Sequence, residues 1–371
     1  MRLEQNVQVA TCVAIERIRM DYFELLQSAP LSLQDLFNFD QFRLDDYCKE
    51  FNPHPQSSEL KKNAEIFGRQ YGVWLDNAKH HITCALFLYP TATFERMFTV
   101  MKNLIIDFYL NDVMGRDRYS HLAPEQQLHA GRLIEKLVSV DKSLTISMDA
   151  GPIEVANVEA LIEFRNTSPA SWFRRFLSLY NHHIDITHRD NNSNAQGLVP
   201  DIDQYIDSRC HYAGMHHIVM WIEYSDGKFL EWDLLRKQGL YNIMGRFHWA
   251  AAAFGALSND LFSFEKEVID NGTDSNLVMI IALNHPELTL KEVILWAAGI
   301  VRNLLSECMC LMNVIRQKMK GSTQMPAALI HTLTAHLDGL DRCMQASWLW
   351  QVYTKRYKRP QSLWEETCLV N

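Results

Sequence analysis

Between residues 253 and 276 the chain reads AFGALSNDLFSFEKEVIDNGTDSN, a stretch without proline that opens on small residues and is rich in leucine and phenylalanine. At 3.6 residues per turn it predicts a helix on which Asn259, Ser263 and Glu267, spaced i, i+4, i+8, stack on one face. Leu257, Leu261, Phe262, Phe264 and Val268 flank that column. Polar groups in apolar company are destabilising unless a partner engages them, so the face reads as a site rather than a solvated stripe. An amide, a hydroxyl and a carboxylate in a row form half of a hard-oxygen site of the kind Mg²⁺ accepts, with its other ligands taken from water and phosphate. Lys266 stands beside the column as a point charge for the same phosphate.

Helical periodicity runs through almost all of the remaining chain, and no long alternating run of β-branched residues competes with it. Amphipathic segments are expected over 7–26, 57–77 and 91–110, the last starting after Pro90 with a threonine cap. Further helices are expected over 124–138, 154–164, 171–185, 243–255, 259–269, 290–317 and 324–350. The segment 202–224 is interrupted at Ala213 and Gly214. No internal repeat or low-complexity linker divides the chain, so its 371 residues are expected to form a single all-α domain over 1–371.

Hydrophobic residues make up 47% of the chain, enough for a deep core, while a net charge of -8 argues against a nucleic acid partner. The eight cysteines are scattered without a CxxC pair, as suits buried thiols in a reducing compartment. Glu4, Glu16 and Arg17 interrupt any apolar run near the start, and no window approaches the apolar length of a membrane span. A cytoplasmic protein without a membrane span is expected, either monomer or homodimer. Histidines are frequent (His80, His81, His182, His183, His211, His216, His217), but none has the i, i+4 partner and acid of a zinc hydrolase, and no metal is assigned to them.

Three further motifs complete the column at 259–267. The helix over 91–110 runs into Asn111-Asp112 and, beyond them, Asp117. Oxygens at the end of one helix can face those on another across the core of a bundle, which is how bundles build metal sites. Asp112 is the expected direct ligand, Asp117 a supporting acid, Asn111 a neutral one, and Asp107 a carboxylate one turn earlier that could make good the missing charge. Arg209 precedes the break at Ala213-Gly214, where helix carbonyls are freed. Near the end, Arg356-Tyr357 offers a planar fork and a hydroxyl for phosphate oxygens.

In that order these segments resemble the class I terpene synthases of bacterial, single-α-domain type. NDLFSFEKE matches the family's N-D-x-x-S-x-x-x-E metal motif at each defining position. The aspartate-rich motif departs from the pattern, with Asn111 where paired aspartates usually begin and Asp117 beyond the usual spacing. Arg209 resembles the family's diphosphate sensor, and Arg356-Tyr357 its terminal pair, over a resemblance that covers the chain from about Phe87 onward.

The resemblance implies an Mg²⁺-dependent terpene cyclase with three metal ions, Mn²⁺ being an alternative. It would ionise a linear prenyl diphosphate, geranylgeranyl diphosphate being placed ahead of farnesyl diphosphate, and cyclise the carbocation to a hydrocarbon or alcohol. Metal ligands would come from Asn111, Asp112, Asp117, Asn259, Ser263 and Glu267, and the diphosphate would meet Arg209, Lys266, Arg356 and Tyr357. Ala213 and Gly214 would present carbonyls to the cation. Phe87, Phe108, Trp348, Phe254 and Trp296 are candidate walls for a dry pocket whose aromatic faces stabilise positive charge. The alternatives are a prenyl diphosphate synthase and a non-catalytic isoprenoid-binding protein on the same scaffold.

Overall fold

The structure, a computed structural model, describes residues 2–49, 52–322 and 324–369, and side chains there except at 2–6, 78, 79, 116 and 117. The described residues form helices joined by turns, with isolated β-bridges and no strand. The principal helices are α1 (Arg2–Leu25), α2 (Phe94–Met114), α3 (Ala170–Thr187), α4 (Ile202–Tyr212), α5 (Met215–Asp226), α6 (Tyr241–Phe264), α7 (Leu290–Gly321) and α8 (Ala327–Tyr353).

Helix α6 is the axis of the arrangement. Its run Ala250 to Phe264 is apolar on nearly every side and is buried apart from Asn259, so it packs at once against α4, α5, α7 and α8. Gly255 allows the closest of these approaches. A Cβ there would stand 2.4 Å from the Met215 methyl at the start of α5. Residues 243–255 and 259–269, expected as two helices, are therefore one continuous element, because nothing between them breaks the α ladder. At Glu265 the α6 ladder passes into a π-helical turn, Glu265–Asp270, inside the very motif that the sequence drew as regular α.

The other ends follow from local chemistry. Thr93 caps α2 by accepting from the Arg96 amide, which places Asn111 and Asp112 within its last turn. Thr289 and Glu292 form a reciprocal capping box that starts α7. Gly214 has φ +68, a left-handed conformation that separates α4 from α5 and turns the chain at the expected break. After α8 a 3-10 turn, Lys355–Tyr357, carries Arg356 and Tyr357 back over the bundle.

One expectation needs correction. Helix α7 is long and apolar enough to cross a membrane by length and composition, contrary to the reading that no window was. It packs alongside α6, and 44% of its apolar window is buried.

Candidate active site

Helices α2, α3, α4, α6 and α8 enclose a cavity of about 150 Å³. Asn111 from α2, Asn259 of α6 and Glu267 of the π-helical turn line it together, joined by Arg209, Arg356 and Tyr357. Of the oxygen-bearing residues anticipated from sequence, Asn111, Asn259 and Glu267 line this cavity, whereas Asp112 and Ser263 are not part of its lining. Ser263 sits between Asn259 and Glu267 in the chain, fully buried, and its Oγ has no hydrogen-bond partner. A buried hydroxyl left unsatisfied costs roughly 1–3 kcal/mol.

Hydrogen bonds fix the column's neighbours. Asn259 Oδ1 accepts from Arg209 Nη2 at 3.0 Å, and Asn259 Nδ2 donates to Gln351 Oε1 at 3.0 Å and to the Tyr357 hydroxyl at 2.8 Å. Glu267 accepts from the Asn276 amide at 3.1 Å. Asp260, which the sequence reading passed over, holds Arg209. Its Oδ1 accepts from Arg209 Nε at 2.6 Å, while its Oδ2 accepts from Tyr205 at 2.7 Å and from the Leu277 amide at 2.9 Å. The pair is buried on both sides, at 4% and 0% side-chain exposure, where a lone charge would not be tolerated. The signal was present in sequence, since an acid next to Asn259 among alanines and leucines needs a cation.

The acidic end differs from expectation. Asp112, the anticipated direct ligand, has both carboxylate oxygens engaged by Arg356, at 2.7 Å and 2.9 Å. Burial would raise its pKa, but the hydrogen bonds and charge of Arg356 outweigh this and hold the carboxyl below its ordinary range. His81, beside the pair, is pushed down to about 3 by burial and by Arg356, so it is neutral and its Nε2 accepts from Arg356 Nη1 at 3.0 Å. Asp112 is thus paired with Arg356 and lines a neighbouring cavity, while Asn111 lines the inner one. The side chain of Asp117 lies outside the described residues. Asp107 pairs through one oxygen with His183, whose Nε2 lies 2.8 Å from Oδ1.

Lys266 lines a second cavity of about 670 Å³ with Arg118, Lys355, Asp76, Asp112 and Asp270, and Arg356 lines both cavities. Ala213 lines the inner cavity, whereas Gly214 sets the backbone turn and its Cβ position faces His217 and His183.

Of the aromatic candidates, Phe108 lines the cavity, with the Arg356 guanidinium 5.9 Å from its ring centre. Trp348 is instead packed between Phe37 and Phe262, Phe254 is buried against Phe37, and the half-buried Phe87 meets Tyr353. Trp296 is 40% exposed beside His285. Composition placed these rings in the core without saying which face of each helix turns inward. Trp350 lines the cavity in their stead.

Sequence and fold have counterparts in known proteins. A family model described as "Terpene synthase family 2, C-terminal metal binding" matches residues 103–307, a span that holds Asn111, Arg209 and the column at 259–267. Germacrene A synthase of Nostoc punctiforme is 26% identical over 139 residues, 36% of this chain and 41% of that protein. Epi-isozizaene synthase of Streptomyces coelicolor is 32% identical over 143 residues, 38% of this chain and 36% of that protein. The chain thus spans about two fifths of the length of these curated relatives. The fold is similar to the crystal structure of a-eudesmol synthase, with a TM-score of 0.68 and 16% identity over 85% of this chain and 99% of that one.

Proposed function

The chain belongs to the terpene synthase family, and from that premise we propose that it ionises a linear prenyl diphosphate with Mg²⁺ and cyclises the carbocation to a terpene hydrocarbon or alcohol. The observation that supports this most is the shared cavity, in which Asn111 of α2 meets Asn259 and Glu267 beside Arg209, Arg356 and Tyr357. Asn259, Ser263 and Glu267 would hold the metal, with Asn111 opposite, and the unpartnered Ser263 hydroxyl fits that use. Bound there, Mg²⁺ would neutralise charge as the carbon-oxygen bond breaks. We take three ions, or Mn²⁺ in their place, as the complement the family resemblance implies.

The chain's own groups do the rest. Arg209, braced by Asp260, and Arg356, braced by Asp112, present guanidinium donors to the diphosphate, where fixed donors matter most as charge develops. Tyr357 and Lys266 add a hydroxyl and a point charge at the mouth. Leu88, Leu104, Met215 and Ile218 line the cavity with Phe108 and Trp350, a mostly apolar wall that keeps water from the cation. Germacrene and isozizaene are fifteen-carbon skeletons, so the likeness to their synthases moves farnesyl diphosphate ahead of geranylgeranyl diphosphate. The whole chain would act as one α-helical domain in the cytosol. The metal motif at 259–267, where a prenyl diphosphate synthase carries a second aspartate-rich motif, disfavours that alternative.

The test is incubation of the purified protein with Mg²⁺ and geranyl, farnesyl or geranylgeranyl diphosphate, reading diphosphate release and volatile products by gas chromatography. Turnover is expected with farnesyl diphosphate, lost on chelation and reduced at least a hundredfold, about 2.7 kcal/mol, in Glu267→Ala. No release from any of the three substrates would leave only an isoprenoid-binding role. A longer diphosphate formed with added isopentenyl diphosphate would make the chain a prenyl diphosphate synthase.

A further inference from the structure

Among the described residues, Asp107, His183 and His188 bring a carboxylate oxygen and two ring nitrogens within 4.8 Å of one another. Asp107 and His183 line the cavity that would hold the hydrocarbon chain. Asp107 stands one helical turn before Asn111, toward Leu104, and lines the inner cavity but not the second one around Lys266. A charged pair among Leu104, Phe108, Met215 and Ile218 does nothing for a purely apolar wall, and its desolvation costs stability.

The protons on His183 follow from its partners. Nε2 lies 2.8 Å from Asp107 Oδ1, and Nδ1 lies 2.9 Å from the His211 carbonyl, which can only accept. The Thr187 hydroxyl, also 2.9 Å from Nδ1, donates to the Tyr212 carbonyl and is therefore an acceptor too. Nδ1 therefore donates, and with Asp107 ionised Nε2 donates as well, which makes His183 an imidazolium. Burial alone would push both toward neutrality, but each holds the other charged, with Asp107 well below and His183 above its usual range. His188 Nε2 stands 3.7 Å from the same Oδ1. Oδ2 makes no hydrogen bond among the described residues, and about a fifth of the Asp107 side chain is open.

We propose that Asp107 is the base that ends the reaction, with His183 as its positioning residue. The proposal rests on the cyclase reading and names what that reading leaves open, the acceptor of the last proton. In one form a C–H bond beside the cationic carbon breaks, its electrons form the C=C bond, and the proton goes to Asp107 Oδ2. In the other, water oxygen bonds the cationic carbon and loses its proton to the same oxygen, giving an alcohol. Either way Asp107 becomes a neutral acid and returns its proton to solvent once product leaves. Both proton donors are far stronger acids than a carboxylic acid, so what the base needs is to be ionised and in place, which the imidazolium secures.

The test uses the full chain with Mg²⁺ and farnesyl diphosphate, comparing wild type with Asp107→Asn, Asp107→Glu and His183→Gln, each checked for native circular dichroism. The readout is the share of wild-type product per diphosphate released. Asp107→Asn should lower that share about a hundredfold in favour of earlier-quenched products, the scale of a lost general base. His183→Gln should shift it the same way, and Asp107→Glu should restore much of it. Water labelled with ¹⁸O separates the two forms, since only the alcohol takes up label. An unchanged product distribution in Asp107→Asn, or in His183→Gln should the first variant not fold, overturns the proposal while leaving the cyclase reading intact. Zinc or iron retained at one equivalent per wild-type chain after desalting, and lost in both variants, would overturn it in favour of a metal at the cluster. Failure of wild type to release diphosphate from any prenyl substrate defeats both readings together.

Discussion

At the scale of single residues, the site is held by charges whose partners are buried with them. Arg209 is oriented by Asp260 at 2.6 Å, and removal of one member of such a pair leaves the other uncompensated. Asp260→Ala should therefore cost about 3–5 kcal/mol of stability and shift the urea midpoint accordingly; a change within error would show that the pair is not structural. Residue type and spacing picked out Asn259 and Glu267, which both line the cavity, but not that Ser263 between them does not line it or that Glu267 falls in a π-helical turn. The roles of Asp112 and Asn111 were not legible. Neighbours in sequence on a helix point about 100° apart, and only the position of Arg356, at the far end of the chain, decides which of the two meets the cavity. The carboxylate at 107 was visible too, but its partner at 183 lies on another helix and could not be paired with it by spacing.

At the scale of elements, regular periodicity found the helices, while the irregular turns position the chemistry. The break at Gly214 was legible from small residues in an otherwise helical run, and its φ of +68 confirms why glycine stands there. A Cβ at 214 would lie 2.7 Å from His217 Cε1 and 3.3 Å from His183 Cε1. Gly214→Ala should then lose more than the roughly 1–2 kcal/mol of left-handed strain, lowering the melting temperature and disturbing the His183 ring that carries Asp107. An unaltered melting curve would mean that the turn relaxes. The π-helical turn at Glu265–Asp270 left no mark in sequence. It is set by tertiary partners: Glu265 accepts from Tyr22, Ser362 and the Leu363 amide, so α1 and the C-terminal segment brace the turn that carries Glu267.

At the scale of the whole molecule, an all-α architecture around one buried helix was predictable, because α6 is apolar on nearly every face and has nowhere else to go. Its neighbours were not, since which helix covers which side depends on long-range packing that local pattern does not encode. Burial also sets the pH dependence of the bundle. Glu223, inside α5, is pushed up to about 7, above its value of about 4.3 in an unfolded chain. Folding then favours its protonated form, so the contribution to stability is full at low pH and declines as pH rises through roughly 4.3 toward 7, by up to about 4 kcal/mol. Melting at pH 5 and pH 8 should show a drop in wild type that is smaller in Glu223→Gln; equal drops would contradict the assignment. The central claim is that oxygens of two helices hold divalent metal over a diphosphate. It is tested most directly by a crystal structure grown with Mn²⁺ and inorganic pyrophosphate, read by anomalous scattering. The account predicts manganese peaks in contact with Asn259, Ser263 and Glu267, with pyrophosphate reaching Arg209 and Arg356. A cavity in which those three side chains touch no metal would contradict it.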